Sequence, residues 1–250
     1  MARWIETQRG IVGAEDCDVK GAFELGGVVP WGRNRAEYTA FFDLGDVAPS
    51  TRILDCAAGP SSFNAEITRA GFRVISVDPL YEHDAESIRR VCAGASKAMI
   101  EGMRKARDRF VWDCLRSPEH AAEVRRVTLD TFLGDYEGGR AEGRYRAAAL
   151  PDLPFDDRVF DLALCSHFLF LYSHDLDASF HLAAIGEMVR VGGEARVFPL
   201  LDMDGQPSGH VEPVRGALEA TGYATSIETV DYEFQRGGNE MLRVTRRKVG

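Results

Sequence analysis

The chain has no hydrophobic run of membrane-spanning length, and its opening residues, Met1-Ala-Arg-Trp-Ile, lack the apolar centre of a signal peptide. Its five cysteines (Cys17, Cys56, Cys92, Cys114, Cys165) are scattered and form no C-x-x-C pair. A disulfide framework is therefore not expected, and the thiols read as reduced ones in a cytoplasmic protein. Cys56 and Cys165 read as buried and inert. The histidines are dispersed without the H-x-x-x-H spacing of helical zinc sites, so no metal is expected. Positive charge is short as well. Thirty Lys and Arg against 39 Asp and Glu give a formal charge of −9, which speaks against a nucleic-acid partner, since phosphates need clustered cations. Internal repeats, low-complexity tracts and long linkers are missing too. A chain of 250 residues that is 45% hydrophobic is expected to form one domain around a sizeable core.

What the sequence does contain is a stretch around which the rest is organised, Arg52-Ile-Leu-Asp-Cys-Ala-Ala-Gly-Pro-Ser-Ser-Phe63. The apolar Ile53-Leu54 runs into a carboxylate, Asp55, and small residues follow at alternate positions: Ala57, Gly59, Ser61. Phe63 to Ala70 then reads as a helix stopped by Gly71. A strand, a tight turn without bulk and a helix N-terminus let a ligand approach the backbone closely. A second strand, Phe72 to Val77, ends in another acid, Asp78. An acid about 20 residues after such a turn is where a nucleotide ribose is normally gripped.

A dinucleotide fingerprint would need glycines where Ala57 and Ser62 stand, and Asp55 would repel a pyrophosphate while suiting a cation. The acid-x-small-x-Gly-x-small pattern resembles the first motif of class I S-adenosylmethionine-dependent methyltransferases, with Ala57 and Ser61 replacing glycines. Further on, Leu153-Pro-Phe155, Phe160-Asp161, the apolar strand Leu162 to Cys165 and Ser166-His167 follow in the order and spacing of the family's small-molecule members. Glu187-Met-Val-Arg-Val191 before Gly192-Gly193 resembles the end of its fifth helix, where a glycine supplies the C-cap. The resemblance covers about residues 51–80 and 145–200, and the C-terminal part by order of elements.

The resemblance implies an α/β, Rossmann-like fold with seven strands, mostly parallel, and a terminal antiparallel strand. It implies S-adenosyl-L-methionine as cofactor, with Asp55, Ala57, Gly59, Asp78, Pro79, Leu80, Leu150 and Ser166 as candidate contacts. Leu80 or Tyr81 would form an apolar shelf under the adenine. The family often has an acid beside the adenine amino group; Ala149 stands there, leaving Leu150 backbone groups or Asp152 to read that edge.

Residues 1–50 are expected to form an N-terminal cap. Within it Gly26 to Arg33 reads as a loop, and Asn34 caps a helix from about Arg35 to Phe42. By the resemblance this segment folds over the cofactor, making Trp31, Arg33 and Tyr38 candidate substrate-side residues, with Arg33 able to pair the methionine carboxylate. The aromatics could equally pack the helix on the sheet. Residues 82–144 are too long for a plain crossover. Ile88 to Met103, Phe110 to Leu115 and Ala121 to Phe132 carry helical spacing, and Asp135 to Arg144 has the composition of a surface loop. The region reads as a helical insertion between strands two and three, a substrate lid or a packing or dimerisation element. Tyr145 to Ala149 is a short strand candidate, Val211 to Ala220 a helix, and Ala224–Val230 and Tyr232–Arg246 are expected as the closing strands.

Methyl transfer asks the protein to align a nucleophile, exclude water and remove a proton. His167, just past the fourth strand, is the candidate base, or else lines the pocket; Tyr172, His174 and His181 are further substrate-pocket candidates. The function expected is O- or N-methylation of a small-molecule acceptor. The rivals are a non-catalytic S-adenosylmethionine-binding domain, an RNA or protein methyltransferase, and, last, a dehydrogenase. The Asn-Pro-Pro-Tyr motif used on nucleobase amino groups is absent; Cys165-Ser-His-Phe168 stands in its place.

Overall fold

The computed structural model describes residues 30–247. Of the expected N-terminal cap, residues 1–29, with Cys17 and the start of the 26–33 loop, lie outside the described residues.

The sheet follows from three kinds of strand. β1 (Arg52–Cys56), β2 (Arg73–Val77) and β4 (Leu162–Ser166) are short and apolar, and all five residues of β4 are buried. Strands covered on both faces read this way in parallel sheets. β3 (Tyr145–Arg146) and β5 (Glu194–Phe198) extend the parallel set on either side. β7 (Glu240–Arg246) enters antiparallel between β5 and β6 (Tyr223–Thr229), giving the order β3-β2-β1-β4-β5-β7-β6. Seven strands, mostly parallel and closed by an antiparallel one, are the expected fold.

Alternation divides the core. Leu54, Cys56, Ala163 and Cys165 face α5 (Ala178–Gly192) and α6 (Val211–Ala220). Ile53, Leu162 and Leu164 face the opposite layer, which holds α1 (Arg35–Phe42) and α2 (Phe63–Arg69). Side chains two apart share a face, so Asp55 lies in line with Ile53, toward α1 and α2. α5 ends at Gly193, whose φ of 71° provides the turn expected of the glycine pair.

The insertion is helical, but its boundaries differ from expectation. α3 (Ala85–Lys105) and α4 (Pro118–Ala141) form a hairpin between β2 and β3. Residues 135–141, expected in a surface loop, continue α4. Gly139 serves contact: a Cβ there would lie 2.5 Å from the Tyr145 ring, so a bare backbone lets β3 close on the helix. Phe110 to Leu115 is not helical. Phe110 bridges Gln235 and the Val111 N–H donates to the Phe234 carbonyl at 2.8 Å, so pairing with the β6–β7 connection overrides the apolar spacing. The last strand begins at Glu240 rather than Tyr232, because Val230, Tyr232 and Phe234 turn inward to the core; Gly237, at φ 81°, makes the expected turn. The strand expected over 145–149 is two residues long. No helix among the described residues is long and apolar enough to cross a membrane.

Candidate active site

The site forms at the C-terminal edge of the sheet, where β1 and β4 lie side by side and their connections leave in opposite directions. Such a switch point opens a crevice in every doubly wound sheet. The turn after β1 is held by its own groups. Ala57 and Gly59 take positive φ angles of 51° and 56°, and no atom lies within 4 Å of where a Cβ on Gly59 would point. The Ala58 N–H donates to the Val77 carbonyl (3.2 Å), the Gly59 N–H to Asp78 Oδ2 (2.9 Å), the Ser62 N–H to the Arg33 carbonyl (3.1 Å) and the Phe63 N–H to Ser61 Oγ (3.2 Å). Pro60 has no donor. The donors a pyrophosphate would use are largely spent inside the chain, and the groups that define the crevice are carboxylates.

Asp78 ends β2. Its second oxygen accepts from the Leu80 N–H at 2.8 Å, capping the 3-10 turn Pro79–Glu82. Burial raises its pKa, opposed by the Leu80 and Gly59 N–H groups. Leu80 is buried, and Tyr81 donates its hydroxyl to the Gly59 carbonyl at 2.7 Å while its ring packs near Phe132, Tyr136 and Tyr145. Tyr81 thus anchors the turn to the insertion.

Asp55 is fully buried. Tyr38 donates to one oxygen (3.0 Å) and Ser76 to the other (3.1 Å), and Asn64 supports Ser76 (3.1 Å). Desolvation pushes its pKa up to about 7, against the lowering effect of those two hydroxyls. Its carboxylate therefore sits behind the turn, under Tyr38.

His167 follows β4 in a left-handed conformation, φ 52°, fixed by its N–H to the Phe198 carbonyl at 2.6 Å. Its Nδ1 is paired with Ser166 Oγ at 2.8 Å, and its ring lies edge-on to Phe41 (5.5 Å) and Phe198 (5.4 Å). Burial, then the positive charges of Arg33 and Arg125, hold its pKa well below the usual histidine range.

Those charges belong to a cluster above the turn. Asn34 and Glu37 form a reciprocal capping box that starts α1. Glu37 also takes a two-pronged ion pair from Arg125 of α4 (2.5 Å to each oxygen) and a hydrogen bond from Tyr232 (3.0 Å). The Arg33 and Arg125 guanidinium groups both lie over the Trp31 ring, at 5.5 and 5.2 Å. The capping spacing Asn34-x-x-Glu37 was there to be read; Arg125 and Tyr232, far along the chain, carry no local signal.

Trp31, Arg33 and Tyr38 are thus brought together with His167, and Asp55, Ala57, Gly59 and Asp78 with one another. Leu150 is buried in the α5-side core, next to the Ala149–Asp152 bridge. Tyr172 and His181 pack on that side too, away from Arg33 and Tyr38. His174 is exposed, 3.3 Å from Asp204. Cys56 and Cys165 are buried and paired in register, and burial raises both thiols' pKa.

The sheet order β3-β2-β1-β4-β5-β7-β6, parallel but for β7, is the seven-stranded, Rossmann-like fold expected from the sequence. More narrowly, the chain belongs to the family of the uncharacterized protein MJ0045 of Methanocaldococcus jannaschii, to which it is 34% identical over 216 residues, 86% of this chain and 95% of that one. No family model matches the sequence. Among solved structures, PH0226 protein from Pyrococcus horikoshii OT3 is similar at 11% identity and a TM-score of 0.45, over 85% of this chain and 91% of that one. Magnesium protoporphyrin IX methyltransferase from Synechocystis PCC 6803, with bound S-adenosylmethionine, is similar at 14% identity and a TM-score of 0.41, over 83% and 74%. At these values the likenesses concern the fold.

Proposed function

We propose that the chain transfers the methyl group of S-adenosyl-L-methionine to an oxygen or nitrogen of a small-molecule acceptor. The observation that carries the reading is the turn after β1: the Ala58, Gly59, Ser62 and Phe63 N–H groups are spent inside the chain, while Asp78 stands beside Gly59. That donor set suits a ligand with a ribose and cationic groups and no phosphate. Asp78 would accept from the ribose hydroxyls, with Pro79 and Leu80 below the adenine and the Leu150 segment at its edge. Ala57 and Gly59 would leave room for the methionine arm, and Asp55 would hold the turn through Tyr38 and Ser76. When bound, the cofactor supplies an electrophilic methyl carbon for in-line displacement.

The chain's own residues then have two tasks. Trp31, Tyr38 and α1 cover the crevice and exclude water. His167, kept neutral, offers an imidazole nitrogen to orient the acceptor and take up its proton; Ser166, bonded to Nδ1, fixes the ring. Burial and the neighbouring cations favour the neutral imidazole, the form that can accept a proton. Tyr172 would have to reach the acceptor from beyond β4.

Calorimetric titration with S-adenosylmethionine and with NAD tests this reading. Binding of the first alone is expected, and Asp78→Ala should weaken it by about 1.5–3 kcal/mol through lost hydrogen bonds to a charged group. Unchanged affinity in a folded Asp78→Ala, or binding of NAD, would sink it.

A further inference from the structure

Among the described residues, the charges around Trp31 do not balance. Two guanidinium groups share its ring, and one carboxylate, Glu37, answers them. Glu37 is saturated: one oxygen takes Arg125 and Tyr232, the other Arg125 and the Asn34 N–H. Asp55, the other carboxylate beneath α1, is taken by Tyr38 and Ser76. Arg33 is left with the Trp31 carbonyl at Nη1 and the indole face. Its Nε is buried without a partner, and no hydrogen bond from Nη2 is found among the described residues. The Nε–Nη2 edge is one of the two with which a guanidinium grips a carboxylate through two parallel bonds, the other being the Nη1–Nη2 end that Arg125 uses on Glu37. An uncompensated buried cation costs several kcal/mol, so a chain that keeps one there has a use for it.

The position of that edge says which ligand. The Arg33 carbonyl is tied to the turn through Ser61 and Ser62, but its head group interacts electrostatically with Arg125, Glu37, Tyr232, Tyr38 and His167. Its head group is therefore in range of His167, which follows β4, and of Tyr232 in the β6–β7 connection. Resting on the methyltransferase reading above, we infer that the acceptor carries a carboxylate, which Arg33 binds through its Nε–Nη2 edge so that the acceptor's nucleophile is presented to His167. The Arg125–Glu37 pair is the fixed wall against which Arg33 is held, and the Trp31 ring lies beneath both cations.

The test uses the full chain saturated with S-adenosylhomocysteine and four probes: acetate, benzoate and their neutral isosteres acetamide and benzamide. At least one carboxylate should bind about tenfold more tightly than its amide, the discrimination expected of a bidentate charged pair. Arg33→Met should cut that ratio to about threefold or less, and Arg33→Lys to an intermediate value, while S-adenosylhomocysteine affinity stays within about threefold. Equal binding of acids and amides by the wild type overturns the proposal, as does a ratio that survives Arg33→Met. A tenfold loss of S-adenosylhomocysteine affinity in Arg33→Met also overturns it, by giving the guanidinium to the methionine carboxylate. If Arg33→Met does not fold, Arg33→Lys decides by the same ratio. Failure of the wild type to bind S-adenosylhomocysteine at all is a different result: it removes the methyltransferase reading itself.

Discussion

Asp55 and Asp78 end neighbouring parallel strands, yet their surroundings give them different work. Asp78 accepts two backbone N–H groups, from Gly59 and Leu80. Asp55 accepts two hydroxyls and is sealed from water, which drives its pKa from 3.8 up to about 7. The sign of the consequence follows from proton counting. Between pH 4 and 7 the folded chain holds a proton on Asp55 that the unfolded chain has released, so stability is greatest below the unfolded pKa and falls as pH rises through the folded one. The stability difference between wild type and Asp55→Asn, measured by chemical denaturation, should therefore shift against the wild type by a few kcal/mol from about pH 4 to about pH 7 and flatten above. A difference that does not vary with pH would mean that Asp55 is charged in the fold. His167 works in the opposite direction. Its pKa is depressed, so the unfolded chain gains a proton below about pH 6.5 that the folded one refuses, and stability is lost as pH falls below that value. His167→Gln should remove that part of the acid-side loss in the same titration.

At the scale of elements, α4 ties the insertion to the N-terminal segment. Arg125 and Arg126 are neighbours on it with opposite situations: Arg125 is buried on Glu37, whereas Arg126 pairs with Glu123 and Asp130 in solvent. Breaking a buried pair strands its partner's charge and costs about 3–5 kcal/mol, whereas exposed pairs are worth about 0–1 kcal/mol. Arg125→Met should therefore lower stability by about 3 kcal/mol and loosen α1 over the crevice, while Arg126→Met stays within about 0.5 kcal/mol. Equal costs in thermal unfolding would refute the latch. This contrast also marks what the sequence could say. The β1 turn, the acids at the ends of β1 and β2, the Leu153-Pro-Phe155 segment and the glycine C-cap of α5 are local patterns, and each could be read from its own residues. Arg125 could not, because an arginine inside a charged helix has the same local pattern whether it is solvated or buried. The same limit explains Phe110 to Leu115. Their spacing is helical, but the partner that decides their conformation is Phe234, more than a hundred residues away. Gly138-Gly139 reads as loop because the reason for a bare backbone at Gly139, the ring of Tyr145, is a tertiary contact.

For the whole molecule, the sheet is a base, and the crevice lies at the C-terminal edge of its parallel strands. The crevice groups come from the turn after β1, the turn after β2, the residue after β4, α1 and, through Arg125, the insertion. The β6–β7 pair closes the far edge and reaches the site through Tyr232 in the connection between its strands. A ligand that binds only the folded state stabilises it by about 2.7 kcal/mol at a hundred times its dissociation constant, which for a chain of this size is roughly 5–10 °C in the unfolding midpoint. The gain should be distributed as the site is. Hydrogen exchange with and without S-adenosylhomocysteine should show new protection in residues 57–62 and 78–82, which form the two turns, and in α1, with smaller gains in α4 relayed through the Glu37–Arg125 pair. The strands β6 and β7, held by their own ladder, should exchange as before. Protection centred on β6 and β7, with the two turns unchanged, would move the binding site to the other edge of the sheet and take the roles of Asp78 and Arg33 with it.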